Sequence, residues 1–187
     1  AAVSSSGKPA PAALGQLALG SDSGVIAVWD LAVGQISHEL RGHTQAIHDL
    51  QYEQNGKTLL SCSRDKQVCC WNASSGELLH TFSAGQAPIQ RLAPSHSGEH
   101  VLMGSTAIRL VRREAWKRLG KVPGHAGKVA CLCLSPDDKL CASAADDRHV
   151  SIWRVSPSAL SSDDSGGEQP CVQTLALETR VTQVAFL

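Results

Sequence analysis

The chain carries no surplus of charge of either sign: 17 Lys and Arg balance 17 Asp and Glu over 187 residues. Nothing in bulk therefore draws it toward nucleic acid or a membrane surface. Apolar residues make up 42%, yet none form a run of 18 or more, so no transmembrane helix is expected. No initiating Met and no basic-then-apolar leader pattern open the sequence. No C-x-x-C pair occurs, so the seven Cys do not read as a zinc site. They read instead as reduced, small core residues of an intracellular protein. Cys131 and Cys133 share one face of a strand, while Cys69 and Cys70 face opposite ways. There is no G-x-S-x-G elbow, no Gly-rich phosphate loop and no paired-carboxylate signal. Neither an enzyme, nor a cofactor or metal site, nor a small-molecule substrate is expected.

What the chain does contain is a repeat. Gly42-His43 opens a run that passes through Leu60-Ser61-Cys62-Ser63-Arg64-Asp65 and closes at Trp71. Gly124-His125 opens a second, which passes through Ala142-Ser143-Ala144-Ala145-Asp146-Asp147 and closes at Trp153. Counted back from each Trp, an Asp lies at 6, a Ser at 10 and a His at 28. A His, a Ser, an Asp and a Trp can form one hydrogen-bonded chain. They are useful only as a closed set, because a buried polar group left unpaired costs roughly 1–3 kcal/mol. Ser, His and Asp are also the parts of a hydrolase triad. A catalytic set would not normally recur at one spacing with a Trp attached to each copy, so the structural reading is preferred.

A period of about 40 residues bounded by Gly-His and Trp is the pattern of a β-propeller blade. The residues resemble the structural tetrad of the WD-repeat family: His43, Ser61, Asp65 and Trp71 in one copy, His125, Ser143, Asp147 and Trp153 in the other. The expected fold is all-β, an incomplete WD-repeat propeller of about three whole four-stranded blades with partial blades at both ends. Blades are expected at 15–40, 43–82, 86–122 and 125–177, with a partial one at 181–187. Residues 1–14 read as a disordered linker and 156–170 as a polar insert before an outer strand. The first blade ends in Val28-Trp29-Asp30 but has Ser23 and Leu19 at the tetrad offsets. Its Gly-His would precede residue 1, so the chain is expected to be a piece of a longer protein with further blades on either side. The third blade has Gly85-Gln86 in place of Gly-His and Val111 in the Trp place. With no Asp in its turn, it is expected to be held by packing alone.

The order of intact and degenerate blades resembles the WD-repeat subunits of the small-subunit processome. The features are Leu17-Ala18-Leu19-Gly20 before a weak first blade, then Leu60 to Lys66 with Trp71-Asn72. A tetrad-free blade with a shortened turn at Ser105 to Ile108 follows, then Gly124-His125-Ala126 and a blade with a long insert. The resemblance implies a non-catalytic scaffold in pre-ribosomal RNA processing, with processome proteins and pre-ribosomal RNA as partners, in the nucleolus of the nucleus. The alternative is a generic WD-repeat adaptor, for instance a ubiquitin-ligase substrate receptor, which could be cytoplasmic. No membrane partner is expected. Gln45, Arg64, Lys128 and Asp146 are the candidate partner-binding rim, because loops on a rigid scaffold usually carry function. Arg109, Arg112, Arg113, Lys117, Arg118 and Lys121 put six basic side chains into thirteen residues. They are the candidate RNA contact, set against the plainer reading of a solvated hairpin. Trp116 could stack on a base or pack the outer strand. Ser161-Ser162-Asp163-Asp164 could be an acidic phosphorylation site or a plain loop.

Overall fold

A computed structural model describes residues 15–53, 56–83, 85–122, 125–155 and 171–186. The expected linker at 1–14 and insert at 156–170 lie outside them. The described residues form fifteen strands and no helix, in two compact units that divide after Ser83.

The first unit holds two antiparallel sheets. One is β1 (Gln16–Gly20), β2 (Ile26–Asp30) and β3 (Gln35–Leu40), in that order. The other is β4 (Ile47–Tyr52), β5 (Thr58–Ser63), β6 (Gln67–Asn72) and β7 (Leu78–Ser83), again in chain order. Ile26, Val28 and Leu40 of the first sheet close on Leu59, Cys69 and Trp71 of the second. Every residue of β5 is buried and β7 is mostly exposed, so burial falls from the middle of the sheet to its outer strand. This explains why the Thr58 to Ser63 stretch, Thr-Leu-Leu-Ser-Cys-Ser, has no long or charged side chain and does not alternate apolar with polar.

The second unit repeats the plan twice. Its sheets are β8 (Arg91–Pro94), β9 (His100–Gly104), β10 (Ile108–Arg112) and β11 (Lys117–Val122), then β12 (Val129–Leu134), β13 (Leu140–Ala145), β14 (His149–Arg154) and β15 (Cys171–Ala176). Leu102, Ile108 and Leu110 pack on Val129, Leu132, Cys141 and Trp153 between them. Residues 181–186, expected as the first strand of a further blade, form no strand. Val184 instead donates its N–H to the Cys131 thiol at 3.2 Å.

Two features recur that a linear reading does not show. A bulge lies between the last two strands of every sheet, immediately before the Trp place: at Val28/Trp29, Cys70/Trp71, Leu110/Val111 and Ile152/Trp153. A bulge adds twist and bends a strand, so each outer strand is redirected at the same point. The second feature is how one sheet receives the next. The Ile47 N–H donates to Ser21 O at 3.0 Å, and the Val129 N–H donates to Ser105 O at 2.8 Å. The preceding residues are Gly20 and Gly104. A Cβ on Gly20 would lie 2.6 Å from Ile47 Cγ2, and one on Gly104 would lie 3.0 Å from Val129 Cγ1. A side chain at 20 would force Ile47 to shift, and one at 104 would need Val129 to give by a few tenths of an ångström.

The hairpin turns also follow their sequence. Asp30 Oδ1 accepts from Ala32 and Val33 N–H, and Asn72 Oδ1 accepts from Ser74 and Ser75 N–H. The Asp or Asn after Trp is thus a turn former. Gly34 and Gly76 close these turns at φ of 72° and 73°. In the third sheet Trp116 holds the same place at φ 48°, an uncommon conformation for a bulky residue. Its ring is buried and lies 4.5 Å from the Arg113 guanidinium.

Candidate functional site

The structure brings each tetrad together. In the second sheet His43 Nε2 lies 2.8 Å from Ser61 Oγ, and His43 Nδ1 lies 2.8 Å from Asp65 Oδ2. The Trp71 indole N–H donates to Ser61 Oγ at 2.8 Å. In the fourth sheet the corresponding distances are 2.8 Å for His125 Nε2 to Ser143 Oγ, 3.1 Å for His125 Nδ1 to Asp147 Oδ2, and 2.7 Å for Trp153 to Ser143. One proton arrangement serves all four groups. The indole donates to the hydroxyl, the hydroxyl donates to Nε2 of a neutral imidazole, and its Nδ1–H donates to the carboxylate.

The carboxylates do a second task. Asp65 accepts the Thr44 N–H at 3.0 Å and the Gln67 N–H at 2.9 Å. Asp147 accepts those of Ala126 at 2.8 Å and His149 at 3.0 Å. Each carboxylate thereby ties the loop before the inner strand to the turn between the second and third strands. Burial pushes the Asp65 carboxyl up, but the Thr44 and Gln67 N–H groups and the His43 pair outweigh it and hold it below the usual carboxylate range. Asp147 is held down against burial in the same way, by His149, His125 and Ala126. Ser61 and Ser143 are fully buried and accept an indole N–H, so neither presents a nucleophile to solvent.

The rim candidates fall into two pairs. The Arg64 N–H donates to Ala46 O and the Ser63 hydroxyl to Gln45 O, which sets Gln45 and Arg64 side by side, both exposed. The Asp146 N–H donates to Lys128 O, which does the same for that exposed pair. Asp146 is also held by Arg180 at 2.6 Å.

The basic hairpin does not form one patch. Residues directly opposite in a ladder share a face. Arg109 pairs with Lys121 and Val111 with Arg118, which puts Arg109, Arg118 and Lys121 on one side. Arg112 pairs with Lys117 on the other, and Arg113 sits at the tip against Trp116. Arg112, Lys117, Arg118 and Lys121 are exposed. Arg109 is not: it is 9% accessible, and its guanidinium donates to Ser105 Oγ at 2.7 Å. Two expectations are corrected here. Arg109 lacks the exposure an RNA contact needs, and the third blade is not held by packing alone. Arg109 stands in the β10 place that Cys69 takes in β6 and Ser151 in β14, and Ser105 lies six residues before Val111, where the two tetrad blades have Asp65 and Asp147. The signal for this was a single Arg between apolar neighbours in Ile108 to Val111.

A further contact had no sequence signal. Asp138, at φ 59°, accepts the N–H groups of His96 at 2.8 Å and Ser97 at 2.9 Å and pairs with His96 Nδ1. It latches the β12–β13 turn to the β8–β9 turn. Burial pushes its carboxyl up, and the His96 and Ser97 N–H groups overcome that and bring it below its ordinary value. Among the described residues no group of three or more His, Cys, Asp or Glu is placed to hold a metal.

Comparison with known proteins agrees with this architecture. The family described as "WD domain, G-beta repeat" matches residues 34–72 and 116–154. Eukaryotic translation initiation factor 3 subunit I of Bombyx mori is 28% identical over 71% of this chain and 45% of its own length. WD repeat-containing protein 82 of Drosophila melanogaster is 26% identical over 64% and 39%. Nuclear distribution protein PAC1 of Ajellomyces capsulatus is 30% identical over 75% and 32%. The chain thus spans about half or less of the length of these relatives. Taken with the antiparallel sheets and two complete tetrads, the matched repeats identify an all-β chain of WD40 repeats, an incomplete WD-repeat β-propeller.

Proposed function

We propose that the chain is the scaffold portion of a subunit of a large assembly, and that this assembly is the small-subunit processome of ribosome biogenesis. One observation carries the scaffold reading. The Ser, His and Asp groups that might do chemistry are consumed in internal networks, which leaves rim loops and a basic hairpin as the surfaces that meet partners. The processome form rests on the order of intact, tetrad-free and insert-bearing blades. Three relatives with different names match at nearly equal identity, from 26% to 30%, so those likenesses follow the repeat more than any one complex. A generic adaptor, such as a ubiquitin-ligase substrate receptor, is the competing reading.

In the preferred reading the protein resides in the nucleolus. Gln45 with Arg64, and Lys128 with Asp146, meet protein partners. Arg112, Arg113, Lys117, Arg118 and Lys121 lie nearest pre-ribosomal RNA. Affinity purification of the full-length protein, with identification of what comes with it, separates the readings. Recovery of processome subunits supports the first, and recovery of ligase components with none of these supports the second. Cross-linking to RNA in cells tests the hairpin. Changing Arg112, Arg113, Lys117 and Arg118 to Gln should reduce it, and unchanged cross-linking in folded, correctly localised protein refutes direct contact. Charge reversal at all four rim positions without loss of any partner counts against that rim.

A further inference from the structure

Between the third and fourth sheets, beside the β8–β9 and β12–β13 turns, lies an open cleft of about 280 Å³. Both sheets belong to the second compact unit. The floor of the cleft is apolar: Leu102 and Leu110 are buried there, and Leu134 and Val155 are half-buried. The register explains why this floor is open. Leu134 lies 19 residues before Trp153, and Tyr52 lies 19 before Trp71. Each faces an apolar residue of the neighbouring strand, Cys141 for Leu134 and Leu59 for Tyr52. Tyr52 packs on the apolar cluster shared by the first and second sheets. The second sheet thus fills with its own ring the place that the fourth gives to a smaller leucine. The mouth of the cleft is acidic. Asp138 is committed to the latch with His96 and Ser97. Asp137 and Glu99 are freer. Asp137 Oδ1 accepts from the Ser135 hydroxyl and the Lys139 N–H. Its Oδ2 meets the Lys139 ammonium at 3.5 Å, on a side chain that is 80% exposed. Glu99 is 74% exposed, and its one ion-pair partner among the described residues, His100 Nδ1, is 4.0 Å away.

We propose that this cleft receives an arginine side chain from a partner protein. The two halves of that side chain match the two halves of the cleft. The methylene stem lies on the leucines while the guanidinium stays at the wet mouth. The guanidinium carries five N–H donors, and the Asp137 and Glu99 oxygens, from separate turns, accept from them. The size agrees. Small-molecule sites usually hold about 300–1,000 Å³, and this cleft falls just short of that range, which suits one long side chain. Lysine also has a stem and a charge, but its ammonium is strongly hydrated. The planar guanidinium holds water more weakly and gives up less on entering a half-buried site. The same carboxylates repel a phosphate or an RNA backbone. Lys139 already leans on Asp137, and the incoming arginine takes over that place. The site does not depend on which assembly the protein joins.

The test is titration of the full-length protein with a Gly-Gly-Arg-Gly-Gly peptide, followed by ligand-detected NMR. Counterparts carry Lys, citrulline or norleucine at the centre. Saturable binding is expected for the Arg peptide, with the neutral citrulline and norleucine peptides weaker by about tenfold or more. A Glu99→Gln, Asp137→Asn double variant, changed at two exposed positions, should weaken binding about fivefold while the protein stays folded. Lys139→Gln removes the resident cation and should tighten binding about twofold. Leu134→Tyr gives the fourth sheet the ring that the second carries at this place, and should abolish binding in folded protein. Three results would overturn the proposal: no saturable binding of the Arg peptide, equal binding of the citrulline peptide, or wild-type affinity in the double variant. A fourth is free L-arginine that binds more tightly than the peptide. That outcome would assign the cleft to a small molecule rather than a partner protein.

Discussion

Replacing Asp65 by Ala removes one acceptor from three donors. The His43 Nδ1–H is the costly loss, because that imidazole is wholly buried and its one other partner, the Cys69 sulfur at 4.0 Å, is a weak acceptor. A buried donor left unsatisfied costs about 1–3 kcal/mol. The Thr44 and Gln67 N–H groups are less enclosed and water can reach them, so each adds a few tenths of a kcal/mol. The expected loss is therefore about 2–3 kcal/mol. Asp147→Ala should cost less, about 1–2 kcal/mol, since its side chain is 13% rather than 5% exposed and its bonds to His125 are longer. Unfolding of a multi-blade protein need not be two-state, so a single melting temperature is a blunt readout. Hydrogen exchange followed peptide by peptide is sharper. Protection should fall across the loop at 43–47 and the turn at 63–67 in Asp65→Ala, and much less in the first sheet, which has no tetrad. Unchanged protection in both segments, with unchanged stability to urea, would refute the claim that the carboxylate couples loop to turn.

The same networks set an acid limit. Folding holds the Asp65, Asp147 and Asp138 carboxyls below their ordinary values, so their stabilisation is complete above the unfolded value near 3.9. It should disappear as pH falls further through the folded values, while an Asp65→Ala, Asp147→Ala double variant should show a shallower acid transition by circular dichroism. Gly20→Ala should destabilise by about 1–3 kcal/mol in urea denaturation, because the new Cβ meets Ile47. A tolerated Gly20→Ala would mean the following strand can retreat. Lys66 and Arg148 follow the two tetrad Asp residues at φ of 72° and 63°, so Lys66→Gly should gain up to about 1 kcal/mol in the same assay. Cys69 is buried with its thiol pushed up to about 11, and Cys141 is pushed higher still, so alkylation of the native protein near neutral pH should spare both and begin at the partly exposed Cys171.

Much of this architecture is legible in the chain because the repeat has few degrees of freedom. Once Trp71 and Trp153 are aligned, the His, Ser and Asp positions follow, and a count of 40 from Trp71 finds Val111 in its strand without any motif. What escaped depends on which residues face each other across a ladder. Six basic residues in thirteen look like one patch in a line, yet a hairpin sorts them onto two faces, and the bulge at Leu110/Val111 shifts the pairing of half of them. Arg109 was hidden for the same reason. The count of 40 puts it at the place of Cys69, but only the structure shows its guanidinium buried on Ser105. The latch at Asp138 joins turns 42 residues apart, a distance at which no local pattern speaks. Residues 181–186 alternate as a strand should, but alternation supplies no partner for the backbone, and Val184 spends its N–H on the Cys131 thiol.

The bulge before the Trp place occurs in all four sheets, including the two that lack a tetrad. Blade curvature here is therefore inherited from the backbone and is independent of the polar network laid over it. A lineage could then lose a His, an Asp or a Trp from one repeat without losing that repeat's shape. The vacated interior becomes free ground for selection. The first and third sheets show the shape without the network, and the third holds an arginine where the second has Cys69.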